Sequence, residues 1–259
     1  MQHRPVSVPS RGGAGYLDVS RQPLQILAFL VPLILLYEIG SARYLSDPAH
    51  GLTQTIRARS ILLGFFQDFG VAGQFLPGLA IATVLIVWQV LSGQRWRISF
   101  WALPVMLAES LAWTIPLLVI LALLKQSGTG PAVAAAGPDV IGSLPWQARV
   151  VISVGAGLYE ELLFRMIGIA ALHLVLVDLA RMNDRLGSAI AVVLSAAAFA
   201  VYHDVTRANG HTDWSQAILL MSAGAYFGGV YLGRGFGIVV AVHALYDVFV
   251  LVVFSGGAR

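Results

Sequence analysis

Seven apolar stretches punctuate the chain, at roughly 24–42, 75–92, 100–124, 149–176, 187–205, 215–233 and 236–255. Each comes near the about 20 residues that a helix needs to cross the hydrocarbon core of a bilayer. The pattern predicts an all-α fold, a polytopic transmembrane helix bundle with about 7–8 membrane helices. The eighth candidate, Ile61 to Gly73 (ILLGFFQDFGVAG), is short and holds one Asp, which suits an interfacial or re-entrant element. Residues 1–23, rich in Gly, Pro, Ser and Arg, read as a disordered N-terminal tail, which leaves 24–259 as the transmembrane domain. No small-residue cleavage site follows the first apolar run, so an uncleaved first helix is expected. The longest connection, Lys125 to Gln147, is rich in Gly, Ala and Pro and is expected to be flexible.

Composition narrows the class. Of 259 residues 58% are hydrophobic and 11% charged, against about 25% charged in an ordinary soluble domain, and the mean hydropathy is +0.78. The basic residues, almost all arginine, stand singly between apolar stretches, which fits membrane flanks and excludes a nucleic-acid surface. The absence of cysteine removes disulfides, thiolate metal ligands and a Cys nucleophile. The basic residues divide almost evenly between the two sides, so orientation rests on the dense arginine of the short loops Gly93–Ser99 and Asp178–Arg185, which favours an inside N-terminus. Arginine over lysine and abundant alanine point to a GC-rich bacterial genome and hence to a multi-pass protein of the bacterial cell membrane. Small residues crowd the later stretches, SAAAFA at 195–200 and SAGAYFGG at 222–229, and predict helices that approach one another closely.

The chemistry lies in the polar residues inside these stretches. Glu160 and Glu161 are embedded in VVISVGAGLYEELLFRMIGIAALHLVLV. A carboxylate at the centre of a membrane helix costs about 2.5–3.5 kcal/mol on insertion scales, so such a residue is functional by default. At about 100° per residue the two glutamates point in different directions, whereas Glu161 and Arg165 share a face one turn apart and predict a structural ion pair. Glu160 is then left for chemistry. His203 ends the fifth stretch, and in the last one His243 precedes Asp247 by one turn, so that the carboxylate can orient the imidazole. Glu38 and Glu109 also lie at membrane depth, where each could line a cavity or make an interhelical hydrogen bond.

Three motifs follow in order: EELLFR from Glu160 to Arg165 matches EExxxR, FAVYH from Phe199 to His203 matches FxxxH, and HALYD from His243 to Asp247 matches HxxxN/D. The chain thereby resembles the CPBP family of intramembrane proteases. This family is also called the CAAX prenyl endopeptidase or Abi family, and it includes Ras-converting endopeptidases and bacterial relatives linked to bacteriocin immunity. The resemblance covers a catalytic helical core at 149–255; the first half offers only generic helices. It implies that Glu160 and His203 activate a water and that His243 and the residue at Asp247 stabilise the oxyanion; Glu109, by its membrane depth, and Phe199 are candidates to line the cavity. The implied partners are the lipid bilayer and a membrane-anchored protein or peptide substrate, prenylated or bearing a C-terminal sorting signal, and no nucleic acid.

Asp247 departs from the Asn common in that motif. An ionised Asp cannot donate to an oxyanion. It is therefore protonated, or holds His243 as a donating imidazolium, or belongs to a metal site, for which Glu160, His203, His243 and Asp247 would be suitable Zn²⁺ ligands. The resemblance favours the mechanism without a metal cofactor. No HExxH, GxGD or GxSG motif is present, so the other intramembrane protease chemistries fit the sequence less well. Two further classes are a proton-coupled transporter, since Glu and His also build proton relays, and a non-catalytic immunity or scaffold protein on the same fold.

Overall fold

The structure, a computed structural model, describes residues 15–47, 52–53, 56–70, 73, 75–126, 144–203, 205–206 and 210–254. The helices are α1 (Tyr16–Val19), α2 (Pro23–Tyr44), α3 (Arg57–Asp68), α4 (Leu76–Leu91), α5 (Ala102–Gln126), α6 (Trp146–Leu179), α7 (Asp184–Tyr202), α8 (Trp214–Arg234) and α9 (Phe236–Val253). The β-structure among the described residues is slight: Ser46–Asp47 pairs antiparallel with Leu52–Thr53, and Thr206 bridges Thr212.

Among the described residues, six helices are long and apolar enough to cross a membrane: α2, α5, α6, α7, α8 and α9. Seven or eight were expected. Helix α4 forms where the seventh was expected but has 16 residues, about 24 Å of rise. Pro77 opens it and Gly93, at a φ of 62°, follows its end. The eighth candidate becomes α3, 12 residues long and about 18 Å, too short to span. Residues 1–14 of the expected tail and 127–143 of the expected flexible loop lie outside the described residues. The described chain begins ahead of Leu24, since α1 is seated by the Tyr16 hydroxyl on the Glu109 carboxylate.

Helix α6 is the centre of the bundle and packs on α9, α2 and α3, while α8 packs on α7 and α5 on α9. Its middle is buried on every side, from Val154 to Leu162. Two glycines let helices approach backbone to backbone. A Cβ on Gly157 would stand 2.7 Å from the Val240 carbonyl oxygen and 2.8 Å from the Ala244 nitrogen of α9. One on Gly224 of α8 would stand 3.0 Å from Ala196 Cα of α7, in the small-residue stretches expected to pack. Large apolar side chains such as Leu79, Leu91, Phe100, Leu123, Val201 and Ile218 are exposed. That surface suits lipid, which imposes no hydrophobic penalty on it.

Helix α6 is not uniform. It is α-helical to Glu161, then a π-helix over Leu162–Ile169, and again over Leu174–Leu179. π-Helical segments are rare and concentrate at functional sites. This one begins at the residue after the glutamate pair.

Candidate active site

The two glutamates of α6 diverge, as the helical period requires. Glu161 goes to Arg165, whose Nη1 donates to Glu161 Oε1 at 2.9 Å. Both side chains are fully buried, and the guanidinium is held by more than its anion. Nη2 donates to the Gly224 carbonyl at 3.2 Å, and the cation lies 4.5 Å from the Phe199 ring centroid and 5.3 Å from that of Phe227. Aromatic faces on three sides, with Phe164 at 5.9 Å, offset part of the cost of removing the cation from water.

The same Glu161 oxygen receives a second bond, from His243 Nδ1 of α9 at 2.6 Å. The ion-pair residue is therefore also the orienter of His243. This role was expected of Asp247, one turn along α9. Asp247 Oδ2 instead stands 3.6 Å from Nε2, the opposite edge of the ring and beyond hydrogen-bond length. The cause is the α6–α9 contact at Gly157, which brings Glu161 close enough to claim Nδ1 first. Phe227 stacks on the imidazole at 4.6 Å and 15°, fixing its plane. With Nδ1 committed to a carboxylate, the Nε2 edge is turned toward Glu160 and Asp247.

His203 follows the last residue of α7, where the backbone turns extended. Its Nδ1 is 2.8 Å from the Phe199 carbonyl oxygen. A carbonyl only accepts, so Nδ1 carries the proton and Nε2 presents a lone pair. That Nε2 is 3.8 Å from Glu160 Oε2, and His243 Nε2 is 3.9 Å from the same oxygen. Phe199 fills the space behind them, 4.5 Å from the His203 ring and 6.0 Å from that of His243.

Two imidazoles, the second with Asp247 beside it, thus face Glu160 Oε2. This oxygen is buried and has no hydrogen-bond partner among the described residues. Separations of 3.8 and 3.9 Å exceed a hydrogen bond yet allow one oxygen atom between the groups to bond to both. Glu160 and His243 are almost fully enclosed, while the side chains of His203 and Asp247 are 12% and 18% exposed. The site is therefore reached from the His203–Asp247 side.

The other membrane carboxylates lie in separate clusters. Glu38 accepts from the Tyr159 hydroxyl at 2.7 Å and lies 3.9 Å from Arg59 Nη2. Glu109, expected as a cavity residue, makes none of its hydrogen bonds with the site. It takes the Arg234 guanidinium, at 2.8 Å to Nη2, together with the Tyr16 hydroxyl and the Trp113 indole at 3.2 Å. Arg234 ends α8 facing α5, and a cation so placed captures the carboxylate. Among the described residues no three His, Cys, Asp or Glu side chains are grouped as metal ligands would be.

Sequence reasoning missed two contributors. The pairing of Glu161 with His243 had no signal, since the partners are 82 residues apart. Phe227 lay in a stretch read as small-residue packing.

Comparison with known families gives one match: residues 142–249 fit the model described as Rce1-like, type II CAAX prenyl endopeptidase Rce1-like. The matched segment holds every residue of the site. No curated protein and no solved structure matches the chain.

Proposed function

We propose that this chain, whose residues 142–249 match the Rce1-like type II CAAX prenyl endopeptidase model and lie on membrane-capable helices, is a multi-pass glutamate-dependent intramembrane endopeptidase. Its substrate is a membrane-anchored protein or peptide, prenylated as the family description says of its members. The supporting observation is the lone buried Glu160 Oε2, faced at 3.8 and 3.9 Å by the Nε2 atoms of two histidines on different helices. The arginine-rich, lysine-poor composition supports the cell membrane of a bacterium as its location.

The steps follow from the atoms. A water between Glu160 Oε2 and His203 Nε2 gives its proton to the carboxylate as its oxygen adds to the scissile carbonyl carbon. The His203 lone pair accepts the second O–H and fixes the direction of attack. The carbonyl oxygen becomes an oxyanion and needs a donor. His243 in its imidazolium form, held through Nδ1 by Glu161, supplies Nε2–H. The C–N bond then breaks as Glu160 returns its proton to the leaving amine. The enclosure of Glu160 keeps bulk water from solvating the base and the oxyanion.

Purified protein should cleave a prenylated, membrane-anchored reporter, and Glu160→Ala and His203→Ala should each abolish cleavage while leaving thermal unfolding unchanged. Full activity in both variants would sink the proposal. A chelator leaves the rate unchanged in this mechanism; its loss on chelation and recovery with Zn²⁺ would reassign Glu160, His203, His243 and Asp247 as ligands.

A further inference from the structure

Helices α2, α5 and α9 enclose a cavity of about 370 Å³ that the proposed reaction does not use. Twelve side chains line it, and every one is Ala, Val, Leu, Phe or Pro. At about 100° per residue, the α9 residues on its wall, Ala241, Ala244, Leu245 and Val248, point roughly 130° away from His243 and Asp247. Helix α9 therefore stands between the cavity and the reacting atoms.

The packing of the bundle builds the space. Helix α2 packs on α4 and α6 and helix α5 on α9, but among the described residues α2 and α5 are not packed closely on each other. They are pinned together at one end, where Gln25 Nε2 donates to the Ser99 carbonyl at 3.1 Å and the Ser99 N–H donates to Gln25 Oε1 at 2.8 Å. Just inside, the buried Ile26 and Met106 close over Gly237, where a Cβ would stand 3.3 and 3.5 Å from their side chains. Past that closure the facing helices offer Ala28, Ala241 and Ala244, which are too small to seal the gap. The exposed lining residues are Pro32 of α2 with Pro104 and Leu107 of α5, so the mouth opens sideways between these two helices.

The depth of the mouth decides what can enter. Ala241 and Val248 each lie five residues from an end of α9, which spans Phe236–Val253. The cavity is thus level with the middle of a helix whose 18 residues rise about 27 Å, close to the thickness of the hydrocarbon core. Close-packed interiors keep few voids larger than a water molecule. Water is a poor occupant here, since it needs two to four polar partners and no lining side chain offers one. Apolar cavities of about 150 Å³ stay dry and take up benzene; in proportion, 370 Å³ holds on the order of 15 carbons.

We propose that this cavity is a lipid site, in which one acyl chain of a bilayer phospholipid enters between α2 and α5 and packs on the alanine face of α9. Ala244 belongs both to this wall and to the close contact with Gly157 of α6, so the chain completes the packing of the helix that carries His243. The site does not depend on the endopeptidase assignment.

The test reconstitutes full-length protein in phosphatidylcholine vesicles containing a trace of phosphatidylcholine with a diazirine in one acyl chain. After irradiation, labelled peptides are mapped by mass spectrometry. Label should concentrate on residues 28–33 and 103–107, several-fold above the exposed Val201 and Ile218. Ala28→Phe, which puts a ring into the cavity, should cut the cavity label about 10-fold and leave that at Val201 and Ile218 unchanged. Leu107→Trp, which narrows the mouth and alters nothing deeper, should act in the same direction. Equal labelling of cavity and outer surface overturns the proposal, as does cavity label that survives both substitutions. If excess prenylated reporter clears the label from the cavity, the occupant is substrate and the lipid site is refuted. Absence of label there would mean that protein side chains fill the gap, which refutes it too. Irradiation requires no cleavage, so Glu160→Ala should label as wild type does. An inactive protein with a labelled cavity would overturn the endopeptidase assignment alone.

Discussion

Two carboxylates within membrane helices of the same bundle, the half-buried Glu109 and the buried Glu160, differ in how completely they are satisfied. Glu109 is saturated: both oxygens bond to Arg234, and Tyr16 and Trp113 fill the remaining directions. Glu160 Oε2 has no hydrogen-bond partner among the described residues and faces two imidazole nitrogens just beyond bonding range. A charge fully paired in low dielectric is held in place and has no lone pair to offer. One left with an open oxygen retains its basicity, and the surrounding fold must bear the cost. Cost alone therefore does not separate structural from reactive acids in a membrane; the count of filled lone pairs does. Glu161 lies between the extremes, with one oxygen shared by Arg165 and His243 and the other unpartnered among the described residues.

The contrast can be broken at several points. The largest effect is expected from Glu160→Gln, which keeps shape and removes the base: kcat should drop about 10³-fold or more, with the thermal unfolding midpoint in detergent unchanged or raised. His243→Ala should cost about 10²- to 10³-fold in kcat, as loss of an oxyanion donor does, measured in the same reporter assay. Glu161→Gln should show both characters, with kcat down roughly 10- to 100-fold through a misoriented His243 and unfolding eased by about 3 kcal/mol because Arg165 is left buried without its anion. Arg234→Ala should invert that balance: about 3 kcal/mol lost in chemical denaturation, yet a rate within about 2-fold of wild type at temperatures where the variant is folded. A rate collapse in folded Arg234→Ala protein would show that the Glu109 cluster is not merely structural. The smallest change is expected from Asp247→Asn, within about 3-fold in kcat, because its carboxylate stands 3.6 Å from His243 Nε2 and does not hold the ring.

What the sequence disclosed was whatever repeats within one helix. The apolar stretches became helices at the places expected, and the 3.6-residue period paired Glu161 with Arg165, which bond at 2.9 Å. The same period put Asp247 beside His243, 3.6 Å from its Nε2, while the shorter bond, from Nδ1, goes to Glu161. Proximity along one helix was outcompeted by a residue on another, brought near by the absence of a side chain at Gly157. Contacts between helices depend on rotation, crossing and depth, and none of these is written in the hydrophobic pattern. The bonds from α3 to Tyr202, 144 and 145 residues distant, were invisible for that reason. The stop of α4 at 16 residues was legible in Pro77 and Gly93, although apolarity alone suggested a full span.

The seating of α2 and α3 on α6 bears on modularity. The segment that fits the family model, 142–249, leans on helices outside it: α2 and α3 pack on α6, and α5 packs on α9. Cut out alone, it would bare Tyr159, deprive the Tyr202 hydroxyl of the Ala58 N–H and strip α6 of the α2 face on which Val151 and Val154 are buried. Exchange of that segment with a matching one would then succeed only when the helices ahead of it, α1 to α5, travel with it.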